Sequence, residues 1–408
     1  LYKIRNTETK EIPMTTSTST TDIYDPILFT THRPDIIMEK GAGMYLWDTN
    51  DKKYLDFIGG WAVNALGHSP KRVAEALATQ SEKLLNASPA FYNAPMLEFA
   101  KLLTENSCFD KVFFGSSGAE ANESAIKLAR KYGLTHKNGA YEIITTNGSF
   151  HGRTLATMSA TGKEQWKTLF EPKVPGFIHV PFNNISAIEQ AVSENTCAIM
   201  IEPIQGEGGV YEADETYIKD LRKFCDEKGI LLIFDEVQTG MGRTGTLFCY
   251  EHYGCKPDIM TLGKNIGSGF PLSAMLTTRA LDIFEPGEQG GTYTGQPLAM
   301  AVGIAVISEI FDKNLLQHVT EKGLHIKRKL AELPADLGIQ NIRGKGLLLA
   351  FDIDTADATK VAAQCLEKGL IINAPNAKTI RLIPPLIVQN SHISDMLTLL
   401  QEALLSPS

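Results

Sequence analysis

The sequence predicts an α/β protein, with a large, mostly parallel β-sheet covered by helices on both faces and a smaller α+β unit toward the C-terminal end. Three observations carry this. Short runs rich in β-branched residues alternate with stretches of helical periodicity through the middle of the chain, the pattern of parallel strands joined by crossover helices. The strand-like runs are apolar at every position instead of every second one, as expected where both faces of a sheet are covered. Beyond residue 298 the alternation gives way to long helical spacing and then to short strands.

The elements follow in order. Residues 48–57, with Thr49, Asn50 and Asp51 between apolar stretches, read as a hairpin, expected to join the smaller unit. Strands are predicted over 111–114, 141–145, 198–202, 230–235 and 259–262, and a helix over 119–132. Over 216–228 the spacing of Tyr217, Leu221 and Phe224/Cys225 makes one helical face. A long helical stretch over 298–333 leads out of the sheet region. A segment at 342–352, a helix near 356–368 and short strands near Ile371 and Ile380 form the smaller unit. No internal repeat is present. The expected division is a disordered or cloning-derived extension over 1–21, a segment over 22–65 joining the small domain, a large domain over 66–300 and a small domain over 301–408. Met14 is a candidate natural start, and residues 1–13 lack the apolar core of a secretory signal.

Composition excludes several classes. With 43% hydrophobic and 21% charged residues the chain is neither disordered nor fibrous. The net charge of -8 and the lack of a basic run argue against nucleic acid. No apolar run approaches the roughly 20 residues that a membrane span needs. The six cysteines are scattered without a C-x-x-C pair, so neither a disulfide framework nor a metal site is expected, and a reducing, cytoplasmic location is the simplest expectation.

Three segments carry chemistry. Phe113-Phe114-Gly115-Ser116-Ser117-Gly118-Ala119-Glu120 is a strand, a small-residue turn and a helix start, where free N–H groups and the helix dipole favour an anion. In Ile230-Leu231-Leu232-Ile233-Phe234-Asp235 a buried strand ends in an acid, at the strand end where open α/β sheets bind ligands. There Asp235 can keep a ring nitrogen protonated. In Met260-Thr261-Leu262-Gly263-Lys264-Asn265-Ile266-Gly267 one lysine stands in a glycine-rich turn after a strand, suited to a Schiff base. The order of a nucleotide P-loop is absent. Taken singly, these segments are also compatible with a capped turn, an N-cap acid and a solvated lysine.

Together with further ordered motifs they resemble a known family. These include Tyr54-Leu55-Asp56-Phe57, Ala65-Leu66-Gly67-His68-Ser69-Pro70, Phe150-His151-Gly152-Arg153-Thr154, Glu202-Pro203-Ile204-Gln205-Gly206-Glu207-Gly208-Gly209, Gly242-Arg243-Thr244-Gly245 and Arg381-Leu382-Ile383-Pro384-Pro385-Leu386. From Gly43 to Pro385 the chain resembles the class III (subgroup II) aminotransferases, most closely those acting on acetylornithine. The resemblance implies the aspartate-aminotransferase-like fold of pyridoxal 5′-phosphate enzymes, fold type I, with a mostly parallel sheet of the seven-stranded type and a smaller α+β domain.

It also implies roles. Lys264 would hold pyridoxal 5′-phosphate covalently and act as general base, and Asp235 would pair with its ring nitrogen. Gln238 would lie near the ring hydroxyl, Phe150 and Val237 against the two ring faces, and Ser117, Gly118 and Ala119 around the phosphate. Thr292 would reach the phosphate from the neighbouring subunit of a homodimer. Arg153 would clamp a substrate carboxylate, Glu207 and Arg381 would manage a second one, and Trp61 would face the substrate. The implied reaction moves the terminal amine of N2-acetylornithine to 2-oxoglutarate, a step of arginine biosynthesis. Trp61, Gly291 and Gln296 depart from the acetylornithine pattern, so ornithine, succinylornithine and 4-aminobutyrate stay open as donors. A pyridoxal-phosphate aminomutase and a binding module without turnover are the rival readings. Read without the resemblance, Phe150 is core, Arg153 and Arg381 are surface ion-pair partners, and Glu202 and Gln205 brace the sheet end. Glu236 is expected to be structural, because its side chain leaves the strand opposite to that of Asp235.

Overall fold

Apolar residues dictate a central sheet, and the computed structural model, which describes residues 27, 28 and 30–405, contains it. The expected extension over 1–21 lies outside the described residues. Near the N-terminus come β1 (Met38–Ala42), β2 (Tyr45–Asp48) and β3 (Lys53–Asp56), then helices α1 (Lys71–Ser81) and α2 (Ala94–Glu105). The sheet region comprises β4 (Lys111–Gly115), α3 (Gly118–His136), β5 (Glu142–Thr146), α4 (Leu155–Ala160), β6 (Phe177–Val180), α5 (Ile185–Ala191), β7 (Thr196–Ile201), β8 (Ile204–Gln205), β9 (Tyr211–Glu212), α6 (Glu215–Lys228), β10 (Leu231–Asp235), β11 (Ile259–Leu262) and β12 (Ser273–Thr277). The remainder is α7 (Pro297–Asp312), α8 (Leu315–Ala331), β13 (Ile339–Lys345), β14 (Leu348–Ile353), α9 (Ala358–Glu367), β15 (Leu370–Ile371), β16 (Thr379–Leu382) and α10 (Asn390–Leu404).

The large sheet has seven strands in the order β4-β12-β11-β10-β7-β5-β6. All run parallel except β12, which is antiparallel to both neighbours. Strand β10 shows why its sequence is apolar throughout. Leu231 and Ile233 enter one buried cluster with α3 residues, while Leu232 and Phe234 enter the other. Each such side chain contributes about 1.5–3 kcal/mol when fully buried. The parallel strands end on one edge, so the residues just beyond β4, β5, β7, β10 and β11 converge there.

The hairpin expected at 48–57 is β2–β3. Asp48 Oδ1 accepts the N–H groups of Asn50 and Lys52, each at 2.9 Å, and closes its turn. Strand β3 pairs in parallel with β15, so residues 38–56 share a four-stranded sheet with the C-terminal region. Strands β13, β14 and β16 form a separate antiparallel sheet.

One expectation changes, and two strands of the large sheet, β6 and β12, are additional to those expected. The helical stretch over 298–333 is two helices, because Asn314 turns left-handed (φ 48°) between α7 and α8. Periodicity continues across the break and conceals it. Strand β12 was not anticipated. Its five residues follow a Gly-Ser-Gly-Phe-Pro turn that reads as loop.

Candidate active site

Strand ends build the site. Helix α3 starts directly after β4, with Ser117 as its N-cap: Ser117 Oγ accepts from Glu120 N at 3.3 Å, and Glu120 Oε2 accepts from the N–H groups of Ser116 and Ser117 at 2.8 and 2.7 Å. The N–H groups of Gly118 and Ala119, in the first turn, have no acceptor within the helix. Gly118 and Ala119 line a cavity of about 250 Å³ that also contains Phe150, Arg153, Glu202, Glu207, Asp235, Val237, Gln238 and Lys264. Ser117 caps the helix beside this cavity and does not line it. A side chain at 118 is impossible while Val237 keeps its place: an added Cβ would lie 2.7 Å from Val237 Cγ1.

Lys264 follows β11. Its backbone is left-handed (φ 46°), a conformation that costs a non-glycine residue on the order of 1 kcal/mol or more. Burial pushes its amine below the ordinary lysine range, and Arg381 adds to this while Glu207 and Asp235 oppose it. The adjacent Asn265 is buried and accepts from Arg243 Nη2 at 3.2 Å. Arg243 in turn donates to the carbonyl oxygens of Leu347 and Pro384. Burial without a carboxylate partner lowers its guanidinium to about 9.

Asp235 ends β10 and is 3% exposed. Its Oδ2 is 2.8 Å from both Asn122 Nδ2 and His151 Nδ1, and its Oδ1 accepts from Val237 N at 3.0 Å. Asn122 is itself fixed by Thr261, whose hydroxyl donates to Asn122 Oδ1 at 2.6 Å. Glu202 accepts from Phe150 N at 2.9 Å. Its burial, with Asp235 nearby, raises its carboxyl well above the ordinary range. Glu236 faces away from the cavity and accepts from the N–H groups of Cys249 and Tyr250, so its expected structural role agrees with its position. Gln205 braces the β5 end through Thr146 Oγ1 and Asn147 O, both at 2.9 Å.

The β8–β9 hairpin presents Glu207. Its Oε1 accepts from Arg381 Nη1 at 2.8 Å, and its Oε2 lies 3.8 Å from Lys163 Nζ. Burial pushes the Glu207 carboxyl up, but Arg381, Lys264 and Lys163 outweigh it and hold it down at about 2. Arg381, on β16 and 1% exposed, also donates to Gly206 O at 2.8 Å and to Asn373 Oδ1 at 2.9 Å. It is therefore no surface partner. Arg153 lies exposed over Trp166, with its guanidinium carbon 5.0 Å from the ring centre.

Trp61, 57% exposed, lies 5.9 Å from the Arg381 guanidinium. It belongs to a left-handed turn, Gly59–Ala62, with φ between 59° and 65° throughout. Asp56 Oδ1 fixes the turn by accepting from Ile58 N and Gly59 N at 2.8 and 3.0 Å, and Asp56 Oδ2 is 2.8 Å from His68 Nε2. Thr292 is exposed and is not among the residues lining the cavity. Asn122, His151, Glu202, Lys163 and Trp166 were given no site role from the sequence. His151 and Glu202 stand inside motifs that carry the resemblance, and that was their only signal, while Asn122 lies on α3 two residues beyond Glu120.

Such a cavity, at the strand ends of this fold, defines an aminotransferase-type site. The aminotransferase class-III family model matches residues 29–404, and the chain belongs to that family. The chain is 49% identical over 386 residues to the acetylornithine aminotransferase of Ralstonia nicotianae, covering 93% of this chain and 96% of that one. Among solved structures, it superimposes on the ornithine aminotransferase of Toxoplasma gondii with a TM-score of 0.90 at 32% identity, covering 95% and 96%. For the acetylornithine aminotransferase of Elizabethkingia anophelis the TM-score is 0.82 at 33% identity, with 95% and 100% covered. The fold is fold type I, and the protein is an aminotransferase dependent on pyridoxal 5′-phosphate. The cavity fits that group: a lysine with a depressed amine, a braced carboxylate, helix-start N–H groups and a buried, unpartnered Gln238 Oε1 all border it. Among the described residues no helix is long and apolar enough to cross a membrane, and no metal-holding cluster is present.

Proposed function

We propose that this cavity transfers the terminal amine of N2-acetylornithine to 2-oxoglutarate. The observation that carries it is the Glu207–Arg381 pair at 2.8 Å on the cavity's rim. One site must take a donor whose reacting end carries an amine and an acceptor whose reacting end carries a carboxylate. A free Arg381 favours the carboxylate and repels the ammonium. Paired with Glu207 it is neutralised, and the amine end enters. When 2-oxoglutarate arrives, its 1-carboxylate competes for Arg381 and Glu207 moves aside. Arg153 grips the far carboxylate in both halves with its planar guanidinium, and Trp61 flanks the substrate. The relatives that act on acetylornithine support this donor.

Pyridoxal phosphate, when bound, supplies the carbonyl that exchanges the amine and the ring that withdraws electrons. Lys264 would hold it, and its depressed amine suits it to accept and return a proton inside the cavity. Asp235, braced by Asn122 and His151, would hold the ring nitrogen. Phe150 and Val237 would enclose the ring, and Gln238 would meet its hydroxyl. Ser117, Gly118 and Ala119 would hold the phosphate, with Ser117 contributing through its cap of the turn and Thr292 arriving from the second subunit of a homodimer. We place the reaction in the cytoplasm, in agreement with the free cysteines.

A donor panel with 2-oxoglutarate, followed by glutamate formation, tests the substrate assignment. N2-acetylornithine should give the highest kcat/KM, and a clear preference for ornithine or 4-aminobutyrate overturns it. Glu207→Ala should raise use of glutamate as donor relative to the ω-amine, by a factor corresponding to about 1–3 kcal/mol. Equal slowing of both half-reactions would make Glu207 merely structural.

A further inference from the structure

Glu207 must have somewhere to go. A carboxylate released from Arg381 inside a largely buried pocket and left without a partner is costly, because burial penalises an unpaired charge. Lys163 stands at the far side of the same carboxylate. Its Nζ is 3.8 Å from Glu207 Oε2, while Arg381 holds Oε1 at 2.8 Å. The first distance is an ion pair too long for a hydrogen bond. A small swing of the side chain exchanges one partner for the other. Lys163 is itself largely shielded, with its side chain 19% exposed. Its ammonium lies over two rings, 4.9 Å from the centre of Phe150 and 5.2 Å from that of Trp166. These contacts hold a flexible lysine at the rim in place of open solvent.

We infer that Lys163 is the positioning residue that receives Glu207 when the acceptor's carboxylate takes Arg381. The inference rests on the alternating use of Glu207 and Arg381 proposed above and adds the second resting place it needs. Lys163 then tunes the acceptor half-reaction and leaves the donor half nearly untouched, since in that half Glu207 stays on Arg381. If Lys163 instead gripped the distal carboxylate alongside Arg153, it would serve both halves alike, because donor and acceptor each carry that group.

Single half-reactions of the cofactor-loaded enzyme, followed by its absorbance, separate these cases. Lys163→Met should raise the 2-oxoglutarate concentration at half-maximal rate roughly tenfold, as loss of a charge-assisted partner predicts. The maximal rate of that half and both constants for N2-acetylornithine should change less than about twofold. Lys163→Arg should restore most of the loss, and cofactor absorbance reports whether either variant is folded and loaded. In a Glu207→Ala background the Lys163→Met effect should vanish. Equal impairment of both halves, or no change in either, overturns the role of Lys163. If Glu207→Ala leaves the discrimination between glutamate and the ω-amine unchanged, the alternating reading itself fails. An effect of Lys163→Met that persists without Glu207 shows that Lys163 acts on substrate directly and also overturns the inference.

Discussion

Glu236 and Asp235 are consecutive and meet different fates, which sets up a pH dependence. Asp235 faces the cavity and is held by side chains. Glu236 points into the protein, where burial raises its carboxyl from 4.5 to about 8, against the pull of two backbone N–H donors. The folded state therefore keeps a proton that the unfolded state releases above 4.5. Stability from this group is full below that pH and declines as pH rises toward 8. Glu236→Gln removes the titration. Between pH 5 and pH 9 the wild-type protein should lose stability relative to this variant, by on the order of a few kcal/mol. Parallel denaturation curves across that range would show that Glu236 ionises normally in the fold. The turn of Glu236 away from Asp235 was legible from strand alternation, and the place of Lys264 and Asp235 beside the cavity was legible because each follows an apolar run at a strand end. The brace behind Asp235 was not. Asn122 lies 113 positions away in sequence and His151 lies 84, and only tertiary folding brings them together.

Helices and strands were legible where pattern and length agreed. The continuous apolar runs of β7, β10 and β11 are buried on both sides, and α6 lies where its stripe of Tyr217, Leu221 and Cys225 placed it. The break between α7 and α8 was hidden because Asn314 interrupts the backbone without interrupting the periodicity. Asn tolerates the left-handed conformation better than most residues. Asn314→Ala should therefore cost about 1 kcal/mol, and Asn314→Gly should be neutral or slightly stabilising. Chemical denaturation of the three proteins checks the order. If Ala is tolerated as well as Gly, the turn is not held left-handed in solution. Element β12 escaped notice for another reason: in a chain of parallel alternation, one short antiparallel strand gives no separate signal.

The assembly decides whether each chain owns its site. Lys264 and Asp235 come from one cavity of one chain, whereas Thr292 is exposed and stands apart from it. The segment before it lies beside α3, where Gln289 Nε2 donates to Ser124 Oγ at 2.6 Å. The exposure of Thr292 near α3, whose first turn is proposed to hold the phosphate, is compatible with its proposed service to a second copy. If the sites are shared, mixing Lys264→Ala chains with Thr292→Ala chains produces hybrid dimers of unequal halves. One site combines both lesions. The other takes Lys264 from the Thr292→Ala chain and Thr292 from the Lys264→Ala chain, and is unmutated. Unfolding and refolding the mixture should therefore recover activity above either parent, with tighter cofactor retention than in the Thr292→Ala homodimer. If each chain completes its own site, every Lys264→Ala chain stays inactive and every Thr292→Ala chain keeps its own defect. The mixture then falls between the parents, and the exposed Thr292 has no part in the neighbouring site.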